Sequence, residues 1–215
     1  MPSRTGNREA GAGDAGAVAA ALRALTAGAA AGSRRAASRI GDAADAAGLV
    51  DIAYGTVDTP IGALLVAVSR RGLMRVAFEE EIDDTVIELS DDTALRVLRS
   101  ARGTDEVRRE IDEYFAGRRR SFDVDVDWTE LHGFTRKVLR ETARIPFGSV
   151  LTYTQVAGRA GNSRAMRAAG NALHANPVPI VVPCHRVIRT GGGLGGYGGR
   201  LDRKEALLRM EGALL

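Results

Sequence analysis

The residue pattern changes its period once, near Trp128, and that change limits the folds open to this chain. On the N-terminal side, short apolar runs alternate with turn signals: Ile52-Ala53-Tyr54-Gly55-Thr56-Val57, Leu64-Leu65-Val66-Ala67-Val68 and Leu73-Met74-Arg75-Val76-Ala77-Phe78. They are separated by Asp58-Thr59-Pro60-Ile61-Gly62 and Arg71-Gly72. Runs of this kind with Pro and Gly breaks predict a three-strand antiparallel meander. An acidic stretch from Glu79 to Asp92 follows. Next comes a predicted helix with Val107, Ile111, Tyr114 and Phe115 on one face and Gly117 just past its C-terminus. Phe122-Asp123-Val124-Asp125-Val126-Asp127 then alternates as a half-exposed strand does.

Beyond Trp128 the pattern is helical and basic. Phe134 to Ala143 predicts an amphipathic helix closed by Ile145-Pro146-Phe147-Gly148. Thr152-Tyr153-Thr154-Gln155 has the order of a capping box, opening a short helix that Gly161 stops. Asn162-Ser163 is expected to cap a second helix, with Met166, Ala169, Gly170 and Leu173 inward and Arg164, Arg167, Asn171 and His174 outward. Two short helices with a tight turn and a polar outer face predict a helix-turn-helix.

Charge divides at the same place. Residues 133–215 hold 13 Lys+Arg against four acids, whereas residues 1–132 hold 17 against 23, and no acid lies between Glu141 and Asp202. An acid-free basic stretch suits a polyanion, since each phosphate contact releases counterions and a nearby carboxylate opposes it. Nucleic acid is the expected partner. Residues 1–48, with 18 alanines and no aromatic residue, have too little apolar bulk to offset ordering entropy. They are expected to form a disordered tail, although short helices fit Val18–Leu25 and Ala36–Ala47. No apolar run reaches the ~18 residues of a membrane helix, and the expectation is a cytoplasmic, nucleoid-associated protein that binds no membrane.

The only cysteine, Cys184, stands in Pro179-Ile180-Val181-Val182-Pro183-Cys184-His185-Arg186-Val187. The apolar run predicts a buried strand that delivers a thiol to a proline-fixed bend beside an imidazole and arginines, groups that favour a thiolate. A lone cysteine also serves as a small buried hydrophobe. The glycine-rich segment Thr190–Gly199 lacks the order of a nucleotide-binding P-loop; its glycines let backbone amides approach a flat ligand, with Tyr197 as a stacking face. Asp202-Arg203-Lys204-Glu205 is expected to cap a last helix running to Glu211, whose side chain can point back at the thiol loop. Cys184, His185 and Glu211 then suit nucleophile, base and orienting acid.

Over residues 50–215 the chain resembles the O6-alkylguanine-DNA alkyltransferases. The resemblance is carried by Thr59-Pro60-Ile61-Gly62, Glu113-Tyr114-Phe115-Ala116-Gly117, Ile145-Pro146-Phe147-Gly148, Thr152-Tyr153-Thr154-Gln155, Asn176-Pro177-Val178-Pro179, Pro183-Cys184-His185-Arg186-Val187, Gly196-Tyr197-Gly198-Gly199, and Lys204 with Glu211-Gly212. It implies an α+β chain: a small RNase H-like α/β domain over residues 49–130, then a helical winged-helix-like (helix-turn-helix) DNA-binding domain over residues 131–215. It implies Cys184 as alkyl acceptor, His185 as base through a water, Glu211 as orienting acid and Asn176 as support of the thiol loop. Tyr153 would bond the base and crowd its phosphate. The carbonyls of Cys184 and Val187 would accept from the guanine amino group, Tyr197 would pack on the base, the Gly198 amide would face O6, and Lys204 would support the loop. Arg167 would fill the space of the flipped base, with Arg164, Asn171, His174 and Thr152 on the DNA face. Direct reversal of O6-alkylguanine in the minor groove of duplex DNA, by a monomer without metal or cofactor, is the implied function.

Departures occur at Leu131–Arg136, where the family often has Gly-Thr-x-Phe-Gln, and at His174. The cysteine-ligated zinc site of some family members is absent from a chain with one cysteine. Two other readings compete: a lesion sensor without transfer, which the retained Cys184 opposes, and a Cys-His hydrolase, which leaves the basic helices without a purpose.

Overall fold

The N-terminal half is built around β2 (Leu64–Ser69), whose first four residues are fully buried because both faces of the strand are covered. A strand sheltered on both sides reads as a continuous apolar run instead of an alternating one. β2 pairs antiparallel with β1 (Ile52–Val57) and β3 (Gly72–Phe78), as the turn signals predict. A short β4 (Val97–Arg99), which the sequence pattern did not announce, adds parallel to β1 and gives the order β3-β2-β1-β4. One face, with Ile52, Leu65 and Ala77, packs on the acidic helix α2 (Ile82–Asp91) through Leu89. The other face, with Leu64, Val66, Leu73 and Val76, packs on α3 (Ala101–Phe115), which Gly117 closes with φ +72°.

The computed structural model describes residues 32, 33, 35–91, 95–198 and 200–214. The chain up to residue 31, with the expected Val18–Leu25 helix, lies outside the described residues, as does Gly199. Residues 35–46 form helix α1, in part of the segment expected to be a disordered tail. Long-range contacts hold it. Gly41 passes so close to the Arg99 carbonyl that any Cβ would overlap it, and Asp42 Oδ1 accepts from Ser100 Oγ at 2.9 Å and from the Arg102 amide at 3.0 Å. Ser100 itself caps α3 by accepting from the Gly103 amide. Asp42 thus satisfies an N-terminal amide that α3 cannot satisfy internally. The Arg102 amide, against a smaller burial effect, holds the Asp42 carboxyl below its usual range. Its contribution is therefore full above the unfolded carboxyl value and is lost as pH falls through the lower folded value. Asp42→Ala is expected to lower stability by ~1 kcal/mol at neutral pH, with a smaller difference in acid; urea unfolding at the two pH values measures it.

The predicted strand at Phe122–Asp127 does not form. Only a single bridge joins Val126 to Leu73, because the Glu110 carboxylate takes the Asp123 and Val124 amides that a ladder would need. Phe122, Val124 and Val126 pack half-buried against the core.

The second half contains α4 (Gly133–Ala143), β5 (Leu151–Thr152), α5 (Tyr153–Arg159), α6 (Met166–His174), β6 (Val187–Ile188) and α7 (Leu201–Met210). The Thr152–Gln155 capping box is present in both directions. The other two expected caps are not. Asn162 turns the chain onto Arg164, so α6 starts later, after Ala165, and Asp202 sits inside the first turn of α7, paired with Arg200. Ala169, Ala172 and Leu173 form the inner face of α6, while Met166, expected inward, is 47% exposed. One buried cluster runs without interruption from the α3 face of the sheet into α4, α5 and α6, so the two halves share a core.

Candidate active site

The thiol is carried by a turn and not by the strand expected at Pro179–Val182. Pro177 and Pro179 remove two amide donors, so no ladder can form there; Ile180 takes φ +75° and the Val182 amide returns to the Val178 carbonyl at 2.9 Å. Asn176 organises the turn. Its Oδ1 accepts from the Val178 amide at 3.2 Å, and its Nδ2 donates to the Val182 carbonyl at 2.8 Å and to Cys184 Sγ at 3.2 Å. A single 3-10 turn, Cys184–Arg186, then enters β6, which pairs parallel with β5. That pairing sets the start of α5, and with it Tyr153, next to the thiol turn.

Behind the thiol lies a buried carboxylate with an unusual number of donors. Glu211, at the C-cap of α7, receives Tyr114 OH at 2.6 Å and His185 Nε2 at 3.0 Å on Oε1. Arg186 clamps both oxygens, with Nη2 to Oε1 at 2.8 Å and Nε to Oε2 at 2.9 Å, and the Gly148 amide reaches Oε2 at 3.3 Å. Burial alone would raise the Glu211 pKa, but the bonds from His185, Arg186 and Tyr114 outweigh it and hold it at about 2. For His185 burial dominates and lowers the pKa, with the Glu211 bond opposing. The resting imidazole is therefore neutral. An ionised carboxylate only accepts, so the proton sits on Nε2 and Nδ1 is left as a bare acceptor. Nδ1 is buried and has no partner among the described residues. It is the free base of the site.

Burial likewise pushes the Cys184 thiol up, and the Asn176 bond and the Lys204 ammonium only partly offset it. The thiolate favoured by neighbouring cations in the sequence is thus not the resting state, because His185 is neutral, Arg186 is committed to Glu211, and Arg189 is exposed. Lys204 is fully buried, and that burial lowers it to about 8. Its ammonium donates to the Val187 carbonyl at 2.5 Å and reaches the Gly196 carbonyl at 3.5 Å, tying β6 to the glycine-rich loop. The Val187 amide in turn donates to the Cys184 carbonyl. Both carbonyls expected to face a guanine amino group therefore already accept one protein donor, and each keeps a second lone pair.

Cys184 opens onto a cleft of about 900 Å³ shared with Asn176, Tyr153, Tyr197, Arg167 and Gly198. Tyr197 is nearly buried, edge-on to both His185 and Phe78, and its hydroxyl has no partner among the described residues. Tyr153 packs tightly against Gly195, where φ is +74° and a Cβ would come within 2.6 Å of the phenol oxygen. Only glycine admits the ring there. His185, Glu211, Lys204 and Val187 form a layer behind this wall.

Of the residues expected on the DNA face, Arg167 and His174 line the cleft. Arg164 and Asn171 are exposed beside it, and the Thr152 hydroxyl is engaged as the α5 cap. Tyr114, Arg186 and Gly148 have no role around Glu211 in the sequence reading, although all three stand in the Tyr-Phe-Ala-Gly, Pro-Cys-His-Arg and Ile-Pro-Phe-Gly blocks. Nor does the sequence pattern announce that Glu81, in the turn before α2, and Asp84 and Glu88 of α2 add acidic groups to the lining of the same cleft. Among the described residues no group of three or more His, Cys, Asp or Glu could hold a metal ion.

Residues 52–128 match the family described as 6-O-methylguanine DNA methyltransferase, ribonuclease-like domain, and residues 133–213 match its DNA binding domain. A methylated-DNA–protein-cysteine methyltransferase of Methanosarcina acetivorans is 38% identical over 167 residues, covering 74% of this chain and 98% of the relative. The protein of that name from Mycolicibacterium paratuberculosis is 41% identical over 162 residues, 74% of this chain and 92% of its own. The crystal structure of Mycobacterium tuberculosis O6-methylguanine methyltransferase superposes with a TM-score of 0.63 at 34% identity, covering 75% of this chain and 93% of that one. The same protein solved in complex with DNA gives the same values. With both family domains matched in order and nearly the whole length of its relatives covered, this chain belongs to the methylated-DNA–protein-cysteine methyltransferases.

Proposed function

We propose that the chain binds duplex DNA through α6 and repairs O6-alkylguanine by moving the alkyl group to Cys184, once per molecule and as a monomer. The observation that carries this reading is the layered arrangement of a thiol that lines the cleft, a neutral imidazole with a free Nδ1, and a carboxylate held ionised behind it. Guanine O6 is out of reach in the stack, so the nucleotide must swing out, at a cost of a few kcal/mol. Arg167, on the exposed face of α6 and at the cleft, is suited to fill the vacated space, and Tyr153 to meet the extruded base. The minor groove offers a degenerate pattern, so little sequence preference is expected.

The thiol proton passes by way of water to His185 Nδ1, and the imidazolium so formed is stabilised by Glu211. The S–C bond forms as the O6–C bond breaks. The electron pair of the broken bond stays on guanine, whose N1 takes a proton from water, and the proton held by His185 is returned to water, so the charges balance. The resulting thioether is stable, and no group in the cleft can remove it.

Mixing the protein with a duplex containing one O6-methylguanine and analysing it by intact and peptide mass spectrometry tests the reading. One added methyl on the Cys184 peptide, saturating at one per protein, is the expected result. Unmodified Cys184 despite tight lesion binding would replace transfer by a sensing role.

A further inference from the structure

The N-terminal half of the chain also contributes to the buried layer behind the thiol. Tyr114, on α3, is fully buried, and its hydroxyl donates to Glu211 Oε1 at 2.6 Å, the same oxygen that receives His185 Nε2. Its ring is held on three sides by Phe115, Phe122 and Phe147, at centroid distances of 5.2, 5.3 and 6.1 Å, so the hydroxyl has little freedom to leave. Packing alone requires only the ring. A phenol that donates to the carboxylate behind the base has a second consequence, because it withdraws electron density from the oxygen that His185 uses.

Resting on the alkyl-transfer reading, we propose that Tyr114 is a positioning residue of the reaction: it anchors Glu211 from the ribonuclease-like domain and thereby sets the pH range in which His185 works as a base. The charged and titratable groups around this pair are few. His185 faces Glu211 and Lys204 of the α7 segment, Cys184 and Arg186 of its own turn, and Tyr197 of the glycine-rich loop. Glu211 faces His185, Arg186 and Tyr114. Arg186 keeps the carboxylate ionised with or without the phenol. Removing the hydroxyl therefore leaves an anion with one donor fewer, a stronger acceptor that favours the imidazolium. The fraction of neutral His185 at a given pH then falls, and the acid limb of the rate profile moves to higher pH.

The test is the single-turnover rate of methyl transfer from an O6-methylguanine duplex as a function of pH, for wild type, Tyr114→Phe and Val107→Ala. Val107 is a buried α3 residue that touches the core and not the site, so it controls for plain loss of stability. Melting temperature and duplex affinity are measured alongside. The acid-limb midpoint of Tyr114→Phe is expected to rise by about half a unit to one unit, while Val107→Ala keeps the wild-type midpoint. An unchanged midpoint in Tyr114→Phe, or the same shift in both variants, makes Tyr114 a packing residue and overturns the proposal. If Tyr114→Phe does not fold, Phe122→Leu, which keeps the hydroxyl but loosens one wall around it, must show a smaller shift in the same direction; no shift overturns the proposal equally. Failure of the wild type to transfer at any pH would instead sink the underlying function.

Discussion

Cys184→Ala is expected to lose methyl transfer completely while keeping wild-type affinity for a lesion-bearing duplex. The loss is complete because the thiol is the only cysteine and the transferred group ends on it, so no other side chain can complete the S–C bond. The fold should survive. Sγ accepts a hydrogen bond from Asn176 Nδ2, and that nitrogen keeps its 2.8 Å bond to the Val182 carbonyl when the sulfur is gone. The lost hydrogen bond and the small void together cost about 1–2 kcal/mol. The face of α6 that carries Arg167, Asn171 and His174 is untouched. Fluorescence anisotropy with a labelled duplex, mass spectrometry for transfer and thermal melting distinguish the outcomes. Loss of folding with loss of transfer would make the cysteine a packing residue, the alternative that the sequence left open.

Much of this organisation is legible in the sequence, for reasons that also explain what is not. β2 and its two antiparallel neighbours could be read because burial on both faces writes a continuous apolar run between turn residues. β4 could not, since it has only three residues, all half-buried, and owes its place to pairing with β1. The helical pattern of α1 was legible at Ala36–Ala47, but its docking was not: the alanine-rich segment lacks apolar bulk, and what holds it is one glycine at a close approach and one carboxylate on a distant helix end. The front of the site, Cys184 with Asn176 and His185, lies within ten residues and was readable as a block. The donors to Glu211 come from 25, 26, 63 and 97 residues away, and no local pattern reports that convergence. The protonation state failed for a related cause. Neighbouring cations in the sequence suggest a thiolate, but burial decides the resting form, and burial is a property of the whole fold.

Glu211→Gln is expected to damage both chemistry and stability, and the two losses should part with pH. In the wild type the carboxylate balances the buried Arg186 and fixes the His185 tautomer; the amide has one acceptor oxygen and presents donors to a region crowded with donors. Breaking a buried pair by removing one partner costs about 3–5 kcal/mol, because Arg186 stays charged with little to meet it. The folded carboxyl lies at about 2 against an ordinary value of 4.5, a difference worth on the order of 3 kcal/mol at neutral pH. A depressed carboxyl gives stability that is complete above its unfolded pKa and disappears as pH falls through the folded one. Wild type should therefore lose this increment between about pH 5 and pH 2, and Glu211→Gln, having no carboxyl there, should show a flatter melting profile over that window. Its transfer rate at neutral pH should fall by about 10²–10⁴-fold, since an imidazole without its anion neither holds Nε2–H in place nor accepts a second proton readily. A variant that melted earlier but transferred at the wild-type rate would show that Glu211 serves the fold through Arg186 alone, and the base would need another orienting group.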